Sequence, residues 1–122
     1  MKKNKISQPD SAVNLAVEGI FNKLGKQVVK IDLQGIENAI CRYFVICHGE
    51  STTQTSAIAE SIEEVIWKKG KEKPLHREGF KNANWILLDY GDMIVHVFLE
   101  SFRRLYNLEE LWADGNLAYI NE

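Results

Sequence analysis

The sequence predicts a single α/β domain with a mixed β-sheet flanked by helices. Segments with the apolar spacing of helices alternate with short β-branched or aromatic runs, in the order helix, strand, strand, helix, strands, helix. The 122 residues, 45% of them hydrophobic, suffice for one domain with its own core. We expect residues 1–9 to form a flexible tail and residues 10–122 to form the domain.

The first helix should follow Pro9 and Asp10. Gly25 is placed where glycine commonly ends a helix. Between these points apolar residues recur at three- and four-residue spacing, which predicts an amphipathic helix with one buried stripe: Val13, Ala16, Val17, Ile20, Phe21 and Leu24.

The next two apolar segments predict strands inside the sheet. Residues 28–33 are rich in β-branched side chains. Residues 41–47 are apolar on both sides of the strand apart from Arg42, which is typical of a strand covered on both faces. Because an extended chain would separate Cys41 and Cys47 by about 20 Å, we expect both to be free thiols.

The clearest helix signal begins at Ser51. Ser51 and Gln54 have the spacing of a capping box, in which each side chain accepts a backbone hydrogen bond from the other residue. The helix should run to about Lys69, with one apolar stripe formed by Ile58, Ile62, Val65 and Ile66. Residues 74–83 contain proline, glycine and scattered charge, so they predict a short edge strand or a loop.

A hairpin with a two-residue turn is the most informative element. Gly91 and Asp92 separate the apolar segments 84–90 and 93–100, and glycine at the first turn position is typical of a type II′ turn. This turn fixes the register of the two strands. It predicts a core face on which Tyr90 pairs with Met93, Leu88 with Val95, Ile86 with Val97 and Asn84 with Leu99.

The opposite face of the hairpin combines aromatic residues with acids. The same register pairs Trp85 with Phe98, Leu87 with His96 and Asp89 with Ile94, and adds Asp92 at the turn and Glu100 at the far end. Residues 84–100 contain no lysine or arginine, so a basic, partly apolar protein surface would complement this face. As the alternative, a helix covers Trp85, Leu87, Ile94 and Phe98, and His96 is an ordinary hydrogen-bonded sheet residue.

Residues 101–112 predict a final helix that packs on the sheet through Phe102, Leu105, Leu108 and Trp112. Asn107 and Glu110 have the spacing of a second cap, which would break this helix into two parts. We expect Arg103 and Arg104 to be solvated, with pairing of one of them to Glu100 or Asp92 as the alternative.

Charge and hydropathy exclude several function classes. The formal net charge of -2 provides no positive field for nucleic acid, so we expect a protein partner and no sequence-specific contact with nucleic acid. No apolar run approaches the roughly 20 residues that a membrane-spanning helix needs, and the polar first ten residues lack the apolar core of a signal peptide. We therefore expect a cytoplasmic protein without membrane contact.

Two segments resemble the ribosomal silencing factor family, also called RsfS or Iojap-like proteins. They are residues 85–98, WILLDYGDMIVHVF, and residues 103–112, RRLYNLEELW. A weaker match upstream extends the resemblance over most of residues 10–113. This chain has Arg42 where the family often has aspartate, a departure that would affect a local ion pair or a dimer contact.

The resemblance implies a fold related to nucleotidyltransferases but without their catalytic carboxylates, and a protein that is not an enzyme and uses no cofactor. It also implies binding to a large-subunit ribosomal protein, the fourteenth in the standard naming. Such binding would sterically block subunit joining and repress translation under nutrient limitation. We place this role on the acidic, aromatic hairpin face, with Tyr106 added: Trp85, Leu87, Asp89, Asp92, Ile94, His96, Phe98, Glu100 and Tyr106.

A nucleotidyltransferase-like nucleotide-binding enzyme is the main alternative. Residues 49–51 precede a capped helix, where backbone amides can receive phosphate. However, no Asp-x-Asp pair follows Ser51 to hold Mg²⁺. The carboxylates that do follow are expected on the solvated side of the helix: Glu60, Glu63 and Glu64.

Three further alternatives have less support. A zinc site would need ligands whose spacing matches no common zinc motif: Cys47, His48, His76 and His96. A nucleophilic role for Cys47 is disfavoured because burial would raise its pKa. A homodimer formed through the hairpin stays open as a third class of function.

Overall fold

The computed structural model describes residues 9–122 and shows one six-stranded sheet with helices on both faces. In chain order, the elements are α1 (Pro9–Asn22), β1 (Lys26–Asp32), β2 (Tyr43–Gly49), α2 (Thr52–Gly70), β3 (His76–Glu78), β4 (Trp85–Asp89), β5 (Met93–Leu99), α3 (Glu100–Tyr106), α4 (Leu108–Leu111) and β6 (Asn116–Ile120). The strand order is β3-β4-β5-β2-β1-β6. Among the strands of residues 9–122, only β2 and β5 pair in parallel, so the predicted α/β class with a mixed sheet is confirmed.

The N-terminal tail that we expected over residues 1–9 lies, apart from Pro9, outside the described residues. Pro9 is the first residue of α1, a position where proline is well accommodated because its missing N–H would have no helical partner. Within residues 9–122, no helix is both long and apolar enough to cross a membrane.

One face of the sheet is closed by α1 and α2. The core between these helices and the sheet includes side chains with no exposed surface: Ala16, Ile20, Ile58, Ile62, Ile66, Ile86, Leu88, Val95 and Val97. The two helices approach closely at Gly19, where an added Cβ would lie 2.6 Å from the Cα of Ile62. The Ser61 hydroxyl, also buried, donates to the carbonyl of Gly19 at 2.8 Å. This face therefore combines dense packing with satisfied polar groups.

The apolar stripe predicted for α1 is wrong at Leu24, its last residue. The helix ends at Asn22, and Leu24 adopts a left-handed conformation (φ 60°) with its side chain 70% exposed. The amide of Gly25 donates to the carbonyl of Ile20 at 3.0 Å, which closes the helix end. Leu24 points outward because the chain leaves the helix before this residue completes another turn.

The capping box at the start of α2 is confirmed in its main hydrogen bond. The Ser51 hydroxyl accepts from the Gln54 amide at 3.0 Å. The return bond differs from the prediction, because the Gln54 side-chain oxygen accepts from the amide of Glu50, at 2.8 Å, instead of Ser51. The helix extends to Gly70, one residue beyond the expected end, and Lys71 follows in a left-handed conformation (φ 59°).

The hairpin has the predicted register. Leu88 is paired with Val95, and Trp85 with Phe98. Across the turn, the amide of Tyr90 donates to the carbonyl of Met93 at 2.8 Å, and Gly91 has a φ of 94°. A positive φ at the first turn position is what a type II′ turn requires.

Strand β6 was missed by the sequence analysis. It pairs antiparallel with β1, which makes β1 an interior strand as predicted. Strand β3 forms the opposite edge, which confirms the edge strand expected within residues 74–83.

The two cysteines are free, as predicted. Cys47 lies in β2 and is fully buried, whereas Cys41 precedes that strand and is half-buried. Burial raises the pKa of Cys41 to about 11 and the pKa of Cys47 to about 12. Both thiols therefore stay protonated at neutral pH and are poor nucleophiles.

Candidate functional site

The second face of the sheet is only partly covered. Over β1, β2 and β5, the loop between β1 and β2, helix α4 and strand β6 contribute a second core that includes Leu33, Ile46, Phe98 and Leu108. The cover becomes incomplete at β4, where the side chains of Trp85 and Leu87 are half-buried. Trp85 and Leu87 consequently form a partly accessible apolar strip on the β4 side of the second core.

The structure divides the nine predicted binding residues into two groups. Three residues of β5 are buried: Ile94, His96 and Phe98. Six retain exposed surface: Trp85, Leu87, Asp89, Asp92, Glu100 and Tyr106. The expectation that the whole hairpin face is exposed is wrong, because the second core covers β5. The alternative of a covered face is correct for Ile94 and Phe98 but not for Trp85 and Leu87.

Aromatic rings from β4, β5 and α3 form one continuous cluster. The ring of Trp85 stacks on Phe98 with a centroid distance of 5.1 Å and lies 4.7 Å from the ring of Tyr106. Tyr106 in turn lies 6.4 Å from Phe102. Phe102 and Tyr106 share a side of α3 because they are four residues apart. We call the accessible rings of this cluster, Trp85, Phe102 and Tyr106, together with the half-buried Leu87 of β4, the aromatic margin.

Two shallow grooves adjoin the aromatic margin. One has a volume of about 260 Å³ and lies between Trp85, Tyr106 and the segment 79–84. The other, about 190 Å³, reaches Leu87 and Glu78. Gly79 borders both grooves and has a φ of 91°, and an added Cβ there would lie 2.0 Å from the carbonyl oxygen of Trp85. Only glycine fits this position without displacing the backbone that carries Trp85.

Sequence reasoning missed several residues around these grooves. They are Gly79, Lys81, Asn82 and Phe102. The signal that could have revealed Phe102 is its spacing of four residues from Tyr106, which aligns both rings on one side of a helix. The segment 79–82 carries no comparable sequence signal, because its position depends on the pairing of β3 with β4.

His96 holds the Trp85 indole in place. The indole N–H donates to Nδ1 of His96 at 3.1 Å, so the imidazole proton must be on Nε2. Burial lowers the pKa of His96 to about 3, which keeps the ring neutral at physiological pH. The prediction that His96 is a hydrogen-bonded sheet residue is confirmed, and its buried position makes it a support for Trp85.

The acids around the margin differ in their partners. Asp89 accepts the amide of Gly91 at 2.8 Å and so stabilises the hairpin turn. Asp92 is exposed at that turn. Glu100 forms an exposed ion pair with Arg104 at 3.1 Å, as the alternative for this arginine predicted. Glu100 therefore lies on the same helix as Phe102 and Tyr106, whereas Asp89 and Asp92 lie at the turn end of the hairpin.

Arg103 is buried, so the expectation that it is solvated is wrong. Its guanidinium donates to one carboxylate oxygen of Glu109 at 2.6 and 3.1 Å and lies 2.9 Å from Nδ1 of His48. Burial and the charge of Arg103 lower the pKa of His48. This network connects α3 and α4 to strand β2.

The helix break predicted at Asn107 is confirmed, whereas the predicted packing of Leu105 on the sheet is wrong. Asn107 separates α3 from α4 and has a φ of 49°. Its side-chain amide donates to Glu110 at 3.1 Å, so the expected cap contact is present in altered form. Leu105 was expected to pack on the sheet but is 72% exposed, because Arg103 takes the inward position on this short helix.

Two alternative sites were considered from the sequence, a phosphate site at the start of α2 and a metal site. Three amides at the start of α2 already donate within the chain, those of Glu50, Gln54 and Thr55, which leaves fewer donors for a phosphate group. No cluster of three or more His, Cys, Asp or Glu side chains suited to a metal occurs in the part of the chain that the structure describes.

Together, the fold and the aromatic margin define a small α/β protein with a partly exposed aromatic surface of the kind that contacts other macromolecules. The chain belongs to the family described as "Ribosomal silencing factor during starvation" (RsfS), whose model matches residues 6–122. The resemblance found in the hairpin and the C-terminal segment is therefore confirmed.

Individual relatives agree with this assignment. The ribosomal silencing factor RsfS of Halalkalibacterium halodurans is 44% identical over 104 residues, which cover 84% of this chain and 86% of the relative. A crystal structure of a Chromobacterium violaceum protein superposes with a TM-score of 0.81 at 25% identity and covers 94% of both chains. A mouse relative named "Mitochondrial assembly of ribosomal large subunit protein 1" is 33% identical over 84 residues, which span 64% of this chain and 37% of the mouse protein.

Proposed function

We propose that this chain binds the large ribosomal subunit through its aromatic margin, docks there on the fourteenth large-subunit protein, and prevents the small subunit from joining. Family membership and the name of the mouse relative support a large-subunit partner. The structural observation that carries the proposal is Trp85, which is half-exposed yet held by His96 and stacked on the buried Phe98.

A fixed, half-exposed tryptophan is well suited to anchor a protein interface. Binding costs less when a side chain is already ordered, and Trp85 has its ring plane set by two buried neighbours. Tryptophan and tyrosine dominate measured interface hot spots, and Tyr106 lies beside Trp85. The exposed carboxylates at the two ends of the hairpin, Asp92 at the turn and Glu100 at the start of α3, would accelerate encounter with a basic ribosomal protein and set its orientation.

The proposed mechanism is steric and requires no chemical step. A protein bound to the face of the large subunit that meets the small subunit would exclude the small subunit by occupying the same space. Translation would fall in proportion to the fraction of large subunits occupied, which gives a means of repression when nutrients are limiting. Ile94, His96 and Phe98 would support the surface from beneath without touching the partner.

Sedimentation with isolated ribosomal particles tests the proposal. The purified chain is mixed with large subunits, small subunits and joined ribosomes at moderate salt, and each mixture is separated on its own gradient. We expect comigration with free large subunits alone. Comigration with small subunits, or with none of the particles, would rule out this function.

Two variants test the site in the same gradients. Trp85→Ala should weaken binding by roughly 30-fold or more, the range of an interface anchor. Asp92→Lys should slow association without disturbing the turn hydrogen bond that Asp89 makes. Trp67→Ala is the matched control, since Trp67 is 47% exposed but lies on α2. Normal binding by folded Trp85→Ala would refute the site assignment.

The choice of ribosomal protein and the steric block need two further measurements. Titration calorimetry with the purified fourteenth large-subunit protein should give saturable binding that Trp85→Ala weakens. Light scattering during subunit joining should show inhibition that disappears with the same variant. Binding to large subunits without any affinity for that isolated protein would locate the docking surface elsewhere on the subunit.

A further inference from the structure

Two rings of the aromatic margin are carried by helix α3, which is too short to hold them in place alone. Helix α3 has seven residues, and no side chain caps its N-terminus at Leu99. A helix of this length is unstable in water by itself, because few hydrogen bonds offset the unfavourable first turn. The positions of Phe102 and Tyr106 therefore depend on the contacts that connect α3 to the rest of the protein.

The inward contact of α3 is made by an arginine. Among the seven residues of this helix, Arg103 alone is buried. Its guanidinium donates to one carboxylate oxygen of Glu109 on α4 at 2.6 and 3.1 Å, and to Nδ1 of His48 on β2 at 2.9 Å. A longer contact of 3.4 Å reaches the carbonyl of Lys26 on β1. Arg103 thus connects α3 to three other elements of the fold.

These hydrogen bonds fix the rotation of α3 about its axis. A guanidinium is planar and its N–H groups point in set directions, so simultaneous contact with Glu109 and His48 restricts the helix to one orientation. An apolar side chain at this position would pack without such directional requirements. Phe102 precedes Arg103 and Tyr106 lies three residues beyond it, so a rotation that displaces the guanidinium also moves both rings.

The backbone of Arg103 also determines where α3 ends. The amide of Asn107 donates to the carbonyl of Arg103 at 2.9 Å, and Asn107 adopts a left-handed conformation (φ 49°). Tyr106 is therefore the last residue of the helix, and its ring centroid lies 4.7 Å from that of Trp85. Both the side chain and the backbone of Arg103 consequently act on the ring through which α3 meets β4.

We infer that Arg103 is a positioning residue of the aromatic margin, which holds Tyr106 against Trp85 without contacting a partner itself. Arg103 is 6% exposed, so it offers a partner almost no contact area. The inference rests on the proposed function for its effect on ribosome binding. Its geometric part does not, because the contact between the two rings can be measured in the free chain.

The chemistry of the buried network allows positioning to be separated from stability. Removal of one partner of a buried ion pair is costly, because the other charge stays unpaired. Replacement of both partners by apolar side chains is often neutral, because the pairing only offsets the cost of taking the charges out of water. A paired substitution of Arg103 and Glu109 should therefore leave the fold stable and still remove the directional contacts.

The double variant Arg103→Met/Glu109→Met tests the inference in the free chain. We expect it to recover, in urea denaturation, most of the stability that Arg103→Met loses. In nuclear magnetic resonance spectra, however, the nuclear Overhauser effect between the Trp85 and Tyr106 rings should weaken, because this effect decreases steeply as the rings move apart. A ring contact of wild-type strength in the stable double variant would overturn the inference, since apolar packing alone would then place Tyr106.

The conservative variant Glu109→Gln should show the opposite pattern. It keeps an acceptor oxygen for the guanidinium but removes the negative charge, so we expect lower stability and an unchanged contact between Trp85 and Tyr106. This variant also keeps the inference testable if the double variant does not fold. Loss of the ring contact in folded Glu109→Gln would overturn the inference, because the contact would then follow stability and not the direction of the hydrogen bonds.

Cosedimentation with large subunits measures the effect on binding. Arg103→Met/Glu109→Met should bind roughly fivefold or more weakly, the effect of losing one aromatic contact of an interface. Lys69→Met/Glu18→Met is the matched control, because it removes one acid and one base paired at 2.7 Å between α2 and α1 and should change the affinity less than about twofold. Equal affinities of the two double variants would overturn the inference and leave the proposed function in place. Failure of the wild-type chain to bind would refute the proposed function, whereas the ring contact would still test Arg103.

Discussion

The two faces of the sheet have similar apolar side chains but are covered to different extents. Under α1 and α2, residues such as Ile62 and Leu88 have no exposed surface. On the opposite face, the cover from α4 and neighbouring segments closes over Phe98 but leaves Trp85 and Leu87 half-exposed. Hydrophobicity alone therefore does not distinguish fully covered from partly exposed positions in this protein.

The difference shows how a small domain can expose an apolar surface without losing its stability. The closed face provides a complete core, so the margin of the other face can stay open for a partner. The exposed aromatic residues are still ordered, because Trp85 rests on Phe98 and bonds to His96. The closed face should thus govern folding, whereas the margin is the surface on which we propose binding.

The largest expected effect is a loss in the free energy of unfolding, and it distinguishes the closed face from the open margin. Ile62→Ala removes a fully buried side chain between α2 and α1 and should lower the free energy of unfolding by about 3 kcal/mol. Leu87→Ala, at the half-exposed margin, should cost less than about 1.5 kcal/mol. Urea denaturation of both variants measures the difference. Equal losses of stability would contradict the division between the two faces.

Variants at Arg103 test whether the stability of the partly covered face depends on the buried network of Arg103, Glu109 and His48. Arg103→Met leaves Glu109 and the buried His48 without their partner, so we expect a loss of about 2–3 kcal/mol, below the value for a fully buried pair because the Glu109 side chain is 20% exposed. Arg104→Met breaks only an exposed pair and should cost less than about 0.5 kcal/mol. Thermal unfolding of the two variants provides the comparison. A loss from Arg104→Met as large as that from Arg103→Met would exclude a special role for the buried network.

The buried histidines of this face should make stability depend on pH. Burial lowers the pKa of His96 to about 3, whereas an unfolded histidine titrates near 6.5. As the pH falls below 6.5, the unfolded chain binds a proton that the folded chain does not, so stability decreases by up to about 1.4 kcal/mol per pH unit down to about pH 3. The lowered pKa of His48 acts in the same direction.

Urea denaturation between pH 7 and pH 5 measures this dependence above the range in which most carboxylates titrate. His96→Phe should reduce the slope of stability against pH, since one titrating group is removed. His76→Gln, at an exposed position on the edge strand β3, is the comparison variant for loss of a histidine outside the core. An unaltered slope in His96→Phe would show that His96 binds its proton equally well in the folded and unfolded chains, which would contradict its lowered pKa.

Features determined by local sequence could be predicted. The hairpin register follows from Gly91 and Asp92, because a two-residue turn admits one pairing of its strands. The start of α2 follows from Ser51 and Gln54, whose contact needs only one turn of helix. The division of α3 from α4 at Asn107 has the same local origin.

Features determined by distant parts of the chain could not be predicted. Strand β6 carries a weak alternating pattern, and its place in the sheet depends on pairing with β1, more than eighty residues earlier. Arg103 and Arg104 are adjacent and chemically identical, so only the docked orientation of α3 decides which is buried. The extent of cover over the hairpin face depends on α4 and β6 together, which is why the sequence left both an exposed and a covered Ile94 open.

A small effect is expected at Arg42, the position at which the chain departs from the family pattern. Its guanidinium donates to both carboxylate oxygens of Asp32, at 2.8 and 3.2 Å, and these hydrogen bonds lower the pKa of Asp32. Arg42→Asp would replace this pair by two neighbouring acids. Since both side chains are partly exposed, we expect a loss of only about 0.5–1 kcal/mol, together with a rise in the pKa of Asp32.

Exchange of the two charges distinguishes the pair from other effects at this position. The double variant Asp32→Arg/Arg42→Asp should recover most of the lost stability in urea denaturation, because it restores opposite charges. Asp32 also accepts the amide of Gln34 at 3.0 Å, so the single variant Asp32→Asn serves as the reference for loss of charge without loss of that acceptor. If the exchanged pair stays as unstable as Arg42→Asp, the arginine acts through its contact with the Tyr43 ring, 4.8 Å away, and not through the ion pair.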